Sequence, residues 1–144
     1  MLVGIHPCVS PELFYALVRL GHGDEIAVVD AYYPGHSNND LVIRCDGSTA
    51  AELLAGVLPL LCLDDYVAAP VAMMQPEAHD RCDPELERDF RAAIDRCWPD
   101  TPAIARIGRQ EFLARSRAAF AIVVTGERRK YGNILLRKGV PGQQ

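Results

Sequence analysis

Between Ser10 and Asp30 the chain passes from a capped helix, through a histidine held between two glycines, into a short apolar strand. This succession constrains the fold more than any other stretch. Ser10 is a good N-cap, Pro11 suits the first helical position, and Glu12 suits the positive helix end. Leu13, Phe14, Leu17, Val18 and Leu20 then recur at helical spacing, and Gly21 ends the run. Ile26-Ala27-Val28-Val29 is short, apolar and partly β-branched, as expected of a strand buried on both faces. His22 lies between the two elements, with Asp24 and Glu25 directly after it and Asp30 at the far end of the strand. Imidazole as a class titrates near neutral pH and is the usual proton-transfer group. Glycines on both sides permit unusual backbone angles and close approach of a ligand. In α/β folds the end of a strand such as this one commonly opens onto a ligand crevice. The same residues also read as a C-cap glycine and a polar turn, and the stretch alone does not separate the two.

The 144 residues suit one domain, 1–144, with a real core, and no repeat, linker or low-complexity segment divides them. Hydrophobic residues at 49% and charged residues at 24% are those of a globular chain. A net charge of −4 gives no electrostatic case for a nucleic-acid partner. Arg128-Arg129-Lys130 adjoins Glu127 and reads as a solvated strand end. Cys8, Cys45, Cys62, Cys82 and Cys97 are widely spaced without a CxxC pair, which suits reduced thiols. The first seven residues have neither a basic start nor a long apolar stretch, and no run approaches membrane-spanning length. The expectation is a soluble, cytoplasmic protein with no membrane partner.

Further along, 32–40 reads as a loop on composition, and 41–44 as a second strand. Ser48 is placed to cap a helix running to about residue 60, with Leu53, Leu54, Val57 and Leu58 on its apolar face. A strand is expected over 67–74, with Pro70 at an edge or bulge. Asp83-Pro84-Glu85 repeats the cap-plus-proline start, so a helix should run to Cys97. Short strand 103–107, helix 111–118, and strands 119–125 and 133–138 complete the chain. Helices alternate with strands, which gives an α/β fold: a single three-layer domain with a mixed central sheet.

Several constellations fail on spacing. Gly21-His22-Gly23 precedes a strand, whereas a dinucleotide fingerprint follows one, and its third glycine position holds Ile26. A metal site from His22, Asp24, Glu25 and His36 lacks the i, i+4 helical spacing of metalloproteases, so no metal is expected. No cysteine has a recognisable activating context. His6 and His79, the latter beside Asp80, read as surface loop residues. Residues 125–133 lie between two apolar strands and are more informative. Tyr131 offers an apolar face with a hydroxyl, Gly132 allows close backbone approach, and Asn133 both donates and accepts. Sugars require that combination, but Gly-Asn is also a common turn pair, and a hairpin is the simpler reading.

Read together, these residues resemble the fucose/ribose mutarotase family, and its fucose branch in particular. The match includes Ser10-Pro11-Glu12-Leu13, 21–26, Asp30, Pro34 with His36-Ser37, Asp46-Gly47, Leu63-Asp64 with Tyr66, and Met73-Met74. It continues through 118–123, Thr125-Gly126-Glu127, 131–136 and Lys138-Gly139-Val140. Gly23 is similar to the fucose branch, where the ribose branch has threonine.

The resemblance implies an isomerase that interconverts the α and β anomers of a reducing sugar without cofactor or metal. It implies His22 as the catalytic proton donor, and Asp30, Arg109, Tyr131, Gly132 and Asn133 as substrate-binding residues. It further implies decameric toroids with sites between neighbouring subunits, so that Tyr131-Gly132-Asn133 would face the His22 pocket of the next chain. L-fucose is the expected monosaccharide. A mutarotase or pyranase for ribose or another sugar, and a non-catalytic sugar-binding protein, are the alternatives. One departure stands out: Leu113 occupies the place of a tyrosine given an acid/base role in some members, and leucine cannot move a proton. Asp64, or a water, is then a candidate for the second proton-transfer group.

Overall fold

The computed structural model describes residues 1–142. Its strands are β1 (Glu25–Val29), β2 (Val42–Cys45), β3 (Val71–Met74), β4 (Ala105–Ile107), β5 (Ala121–Thr125) and β6 (Ile134–Arg137). Its helices are α1 (Pro11–Arg19), α2 (Ala50–Val57), α3 (Pro84–Cys97) and α4 (Arg109–Ala118). The strands form one mixed sheet in the order β2-β5-β1-β6-β3-β4. β1 is parallel to β5, β5 to β2, and β3 to β4, while β6 runs antiparallel to both of its neighbours, β1 and β3. Five strands therefore point the same way. Their C-terminal ends and the start of β6 share one edge of the sheet, and their N-terminal ends share the other.

Each face of the sheet carries its own core. Ile26, Val28, Val123 and Leu136 pack with Leu13, Leu53 and Phe90 from α1, α2 and α3. Ala27, Val29, Ile122 and Leu135 pack on the opposite face with Phe112 of α4 and with Tyr33. Successive strand residues point to opposite faces, so β1 is apolar at every position from Ile26 to Val29 because both faces are covered. The result is the expected three-layer α/β arrangement, with three helices on one side and α4 on the other.

Local signals act where the sequence puts them, with instructive exceptions. The Ser10 hydroxyl accepts from the Leu13 amide at 3.2 Å, and Asp83 accepts from the Glu85 amide at 2.9 Å. The cap of α2 is Thr49, not Ser48, because Glu52 three residues on completes a capping box with it. α4 starts at Arg109, two residues before the expected start at 111. The expected strands 67–74 and 103–107 shorten to β3 and β4, where the ladder has partners. Val18 lies off the core stripe of α1 and is 66% exposed.

The largest correction concerns 125–133. It is not a hairpin, because β1 lies between β5 and β6 and takes its ladder bonds from both. A strand buried on both faces needs a partner on each edge for its backbone groups. The chain leaving β5 therefore crosses the end of β1 before returning as β6. Among the described residues, no helix is long and apolar enough to cross a membrane.

Candidate functional site

The crossing segment helps to build a cavity at the C-terminal edge of the sheet. Asp30, Arg109, Tyr131 and Asn133 line this open cavity of about 400 Å³, within the ~300–1,000 Å³ usual for small-molecule pockets. Each residue arrives by a different route. Asp30 follows β1, Arg109 begins α4 after β4, and Tyr131 and Asn133 lead into β6. This is the edge at which α/β sheets commonly hold ligands.

Segment 126–133 is stitched to the end of β1. The Thr125 hydroxyl donates to the Val29 carbonyl at 2.8 Å, and the Ala31 amide donates to the Glu127 carbonyl at 2.9 Å. The Asp30 amide donates to Asn133 Oδ1 at 2.9 Å. Glu127 is buried, and burial pushes its carboxyl up. The side chain and amide of Arg129 outweigh that push and hold it below the usual range. The Arg129 guanidinium also reaches Asp89 of α3 at 2.8 Å, tying the segment to the helical layer. Gly132 packs against this scaffold, and a Cβ there would sit 2.8 Å from Glu127 Cγ and 3.5 Å from Asp30 Cβ. Tyr131 takes φ of 67°, a left-handed conformation that costs a non-glycine residue about 1–3 kcal/mol.

Asp30 is 4% exposed. Burial raises its carboxyl above the ordinary value. The amides of Tyr32, Gly132 and Tyr131 and the Asn133 side chain pull the other way and offset only part of the rise. A carboxyl raised in the fold binds its proton more tightly folded than unfolded. Its contribution therefore favours the fold when protonated, and is lost as pH rises from about 3.9 through the folded value. Asp30→Asn removes this ionisation while keeping an acceptor for the Tyr32 amide, which now bonds Asp30 at 3.0 Å. Its melting temperature at pH 7 is expected to equal or exceed that of the parent, without the parent's decline across that window. Differential scanning calorimetry from pH 4 to pH 7 checks this, and a melting point several degrees below the parent at pH 7 would contradict it.

Other residues of the cavity were not legible as such. Arg128 and Lys130 are exposed, as a solvated segment should be, yet they also line the cavity, and so does Asp80 from the surface connection 75–83. No local pattern marks Asp80, because the sheet order alone brings the β3–α3 connection beside Tyr131. Leu113 of α4, which the sequence did single out, also lines the cavity. The Tyr33 hydroxyl turns away to Ser116 at 2.5 Å.

His22 is elsewhere. It occupies a turn before β1, at the opposite edge of the sheet from Asp30, and the five-residue strand between them spans roughly 16 Å at about 3.3 Å per residue. The Gly21 amide donates to Asp24 Oδ2 at 2.7 Å, and the Gly23 amide to the Lys138 carbonyl at 2.8 Å. Gly23 takes φ of 87°, which accounts for glycine after the histidine. His22 Nε2 lies 3.2 Å from Asp64 Oδ1, and its ring meets Tyr66 edge-on at 4.9 Å. Asp64 is 1% exposed and also accepts from Arg137 Nε at 2.9 Å and from the Tyr66 amide at 3.0 Å. Burial would raise its carboxyl, but the Tyr66 amide, Arg137 and His22 outweigh burial and hold it below the usual range. With Nε2 engaged, Nδ1 is the ring nitrogen left for a ligand, and the His22 side chain is 37% exposed. The other members of the rejected metal set disperse: Asp24 closes the turn, Glu25 pairs with Arg115 at 2.6 Å, and His36 is exposed.

Comparison with known proteins gives a consistent likeness. The RbsD / FucU transport protein family matches residues 3–141. A protein of Actinobacillus pleuropneumoniae serotype 5b (strain L20) named L-fucose mutarotase is 48% identical over 140 residues, covering 97% of each chain. Among solved structures, the fucose mutarotase of Streptococcus pneumoniae, in complex with L-fucose, superposes with a TM-score of 0.92 at 40% identity. That match covers 98% of this chain and 100% of the other. The Bifidobacterium longum FucU structure superposes equally well, with a TM-score of 0.92 at 29% identity, covering 96% and 99%.

Proposed function

The chain belongs to the RbsD / FucU transport protein family, and from that membership we propose that it is an L-fucose mutarotase. It is an isomerase that interconverts the α and β anomers of the free sugar. The observation that carries the reading is the cavity at the end of β1, with Asp30, Asn133, Arg109 and Tyr131 on its walls, in a chain 48% identical along its length to a protein of that name.

Mutarotation opens and recloses a hemiacetal. A base takes the proton of the anomeric hydroxyl, an acid gives one to the ring oxygen, and the bond between C1 and that oxygen breaks. Rotation about C1–C2 and closure on the other face of the aldehyde complete the exchange, with the two proton transfers reversed. Positioned acids and bases each supply ~10²–10⁴-fold. In this reading His22 is the proton donor, working through Nδ1 while Asp64 holds Nε2. Asp30 and Arg109 bind sugar hydroxyls by charge-assisted hydrogen bonds. Gly132 brings the backbone close, and Tyr131 and Asn133 complete the wall. Leu113 moves no proton, so the second proton transfer falls to a water or to Asp64, whose carboxylate already touches His22 Nε2 at 3.2 Å.

His22 and the cavity belong to opposite edges of one sheet, so the reading takes His22 from a neighbouring copy in a closed decamer. Met1, Leu2, Tyr15 and Val18 border one apolar groove, which supports association, since apolar patches of this kind mark interaction surfaces. Five free cysteines accord with a cytoplasmic location.

Saturation-transfer NMR on the purified chain tests the function. Magnetisation is expected to pass between the anomeric protons of L-fucose far faster than in buffer, and more slowly with D-ribose. Faster exchange on D-ribose moves the assignment to that sugar. Binding without exchange makes the protein a sugar-binding protein and overturns the enzymatic reading.

A further inference from the structure

Segment 75–83 joins β3 to α3, and Asp80 is its member that lines the cavity. The Asp80 carboxylate makes three bonds. Its Oδ2 accepts from the Tyr131 hydroxyl at 2.9 Å, and its Oδ1 from Lys130 Nζ at 2.7 Å and from the Arg81 amide at 2.8 Å. The Glu77 amide donates to the same tyrosine oxygen at 3.4 Å, and the Asp80 amide closes a turn onto the Glu77 carbonyl at 2.9 Å. Segment 75–83 thus meets the wall of the cavity through one carboxylate, one phenol and one ammonium.

We propose that Asp80 is a positioning residue of this site: by gripping the Tyr131 hydroxyl and the Lys130 ammonium, it fixes the Tyr131 ring as a wall of the sugar cavity. The assignment rests on the function proposed above. Tyr131 leaves a left-handed backbone position, and its ring is tethered at the far end by the bond from its hydroxyl to Asp80. The Lys130 ammonium, the Arg81 amide and the Tyr131 hydroxyl hold the Asp80 carboxyl down to about 2, so it is an ionised acceptor across the neutral range. The tyrosine hydroxyl is thereby committed as a donor to Asp80. What Tyr131 presents to the sugar is its ring face and not a proton. The grip contributes little to folding, because ion pairs this exposed are worth little; its consequence is geometric.

The test measures L-fucose exchange over a concentration series for the full chain, Asp80→Ala, Asp80→Asn, Tyr131→Phe, and Asp80→Ala with Tyr131→Phe. Asp80→Ala and Tyr131→Phe are each expected to raise KM about 10-fold with kcat nearly unchanged, the scale of one charge-assisted hydrogen bond. The double variant should be no worse than Asp80→Ala, because Asp80→Ala already removes the bond to the Tyr131 hydroxyl. Asp80→Asn keeps an acceptor and should recover most of the loss. An Asp80→Ala KM within twofold of the parent overturns the assignment. So do additive losses in the double variant, which would mean that Asp80 binds sugar by itself. If Asp80→Ala does not fold, Tyr131→Phe decides: an unchanged KM overturns the proposal, and a tenfold rise with the parent's melting point supports it. Absence of exchange by the unaltered chain overturns the functional reading as well, whereas an active parent with an unmoved Asp80→Ala KM overturns only the role of Asp80.

Discussion

Replacing His22 with asparagine is expected to slow L-fucose anomer exchange by about 10²–10⁴-fold, the contribution of one positioned acid–base group. Asparagine keeps a polar side chain in the turn but does not exchange a proton near neutral pH. The fold should survive. The turn is held by Gly21, Gly23 and Asp24 through backbone and carboxylate bonds that do not involve the imidazole. Asp64 keeps two of its three partners, Arg137 and the Tyr66 amide. Circular dichroism and light scattering should match the parent while saturation transfer is lost. Exchange within about threefold of the parent is too small a loss for a positioned acid, and would remove His22 from the mechanism.

Mixing two inactive variants should restore activity. If His22 and Asp30 of one site come from different copies, His22→Asn and Asp30→Asn chains damage opposite halves of each site. Random reassembly of equal amounts leaves about a quarter of sites with both residues intact, as expected for a heterologous, head-to-tail interface. The separate variants stay near background, and the mixture should approach about a quarter of parental exchange after dissociation and reassembly. The basis is the placement of the two residues at opposite edges of one sheet, with β1 between them. A mixture no more active than its components, in particles of unchanged size, means that each chain carries its own complete site. A monomer with full activity at micromolar concentration would say the same.

The helices and most strands were legible because short-range chemistry specifies them. Ser10 with Pro11 and Asp83 with Pro84 start helices by satisfying free amides, and they do so in the structure. The uninterrupted apolar run of β1 announced cover on both faces, and the two cores supply it. Thr49 displaced Ser48 as a cap because the choice rests on a glutamate three residues on, which favours one of two adjacent hydroxyls. Arg109 was placed before α4 because Gly108 offers no side-chain cap to mark the start.

The sequence by itself determined the α/β class, the glycine-bracketed turn and the chemical character of Asp30, Tyr131 and Asn133, because these depend on neighbours a few residues away or on the side chains themselves. Motif order also carried the resemblance to the family that the full-length matches bear out. Tertiary structure alone decided which of these residues meet. The 125–133 stretch looks like a hairpin locally, and becomes a crossing only because β1 needs a partner on each edge. That insertion brings Tyr131 and Asn133 to Asp30, draws Asp80 from a distant connection, and leaves His22 at the other end of the strand. Strand order is set by which edges can satisfy each other's backbone groups across the whole sheet, and no window of local sequence contains that information.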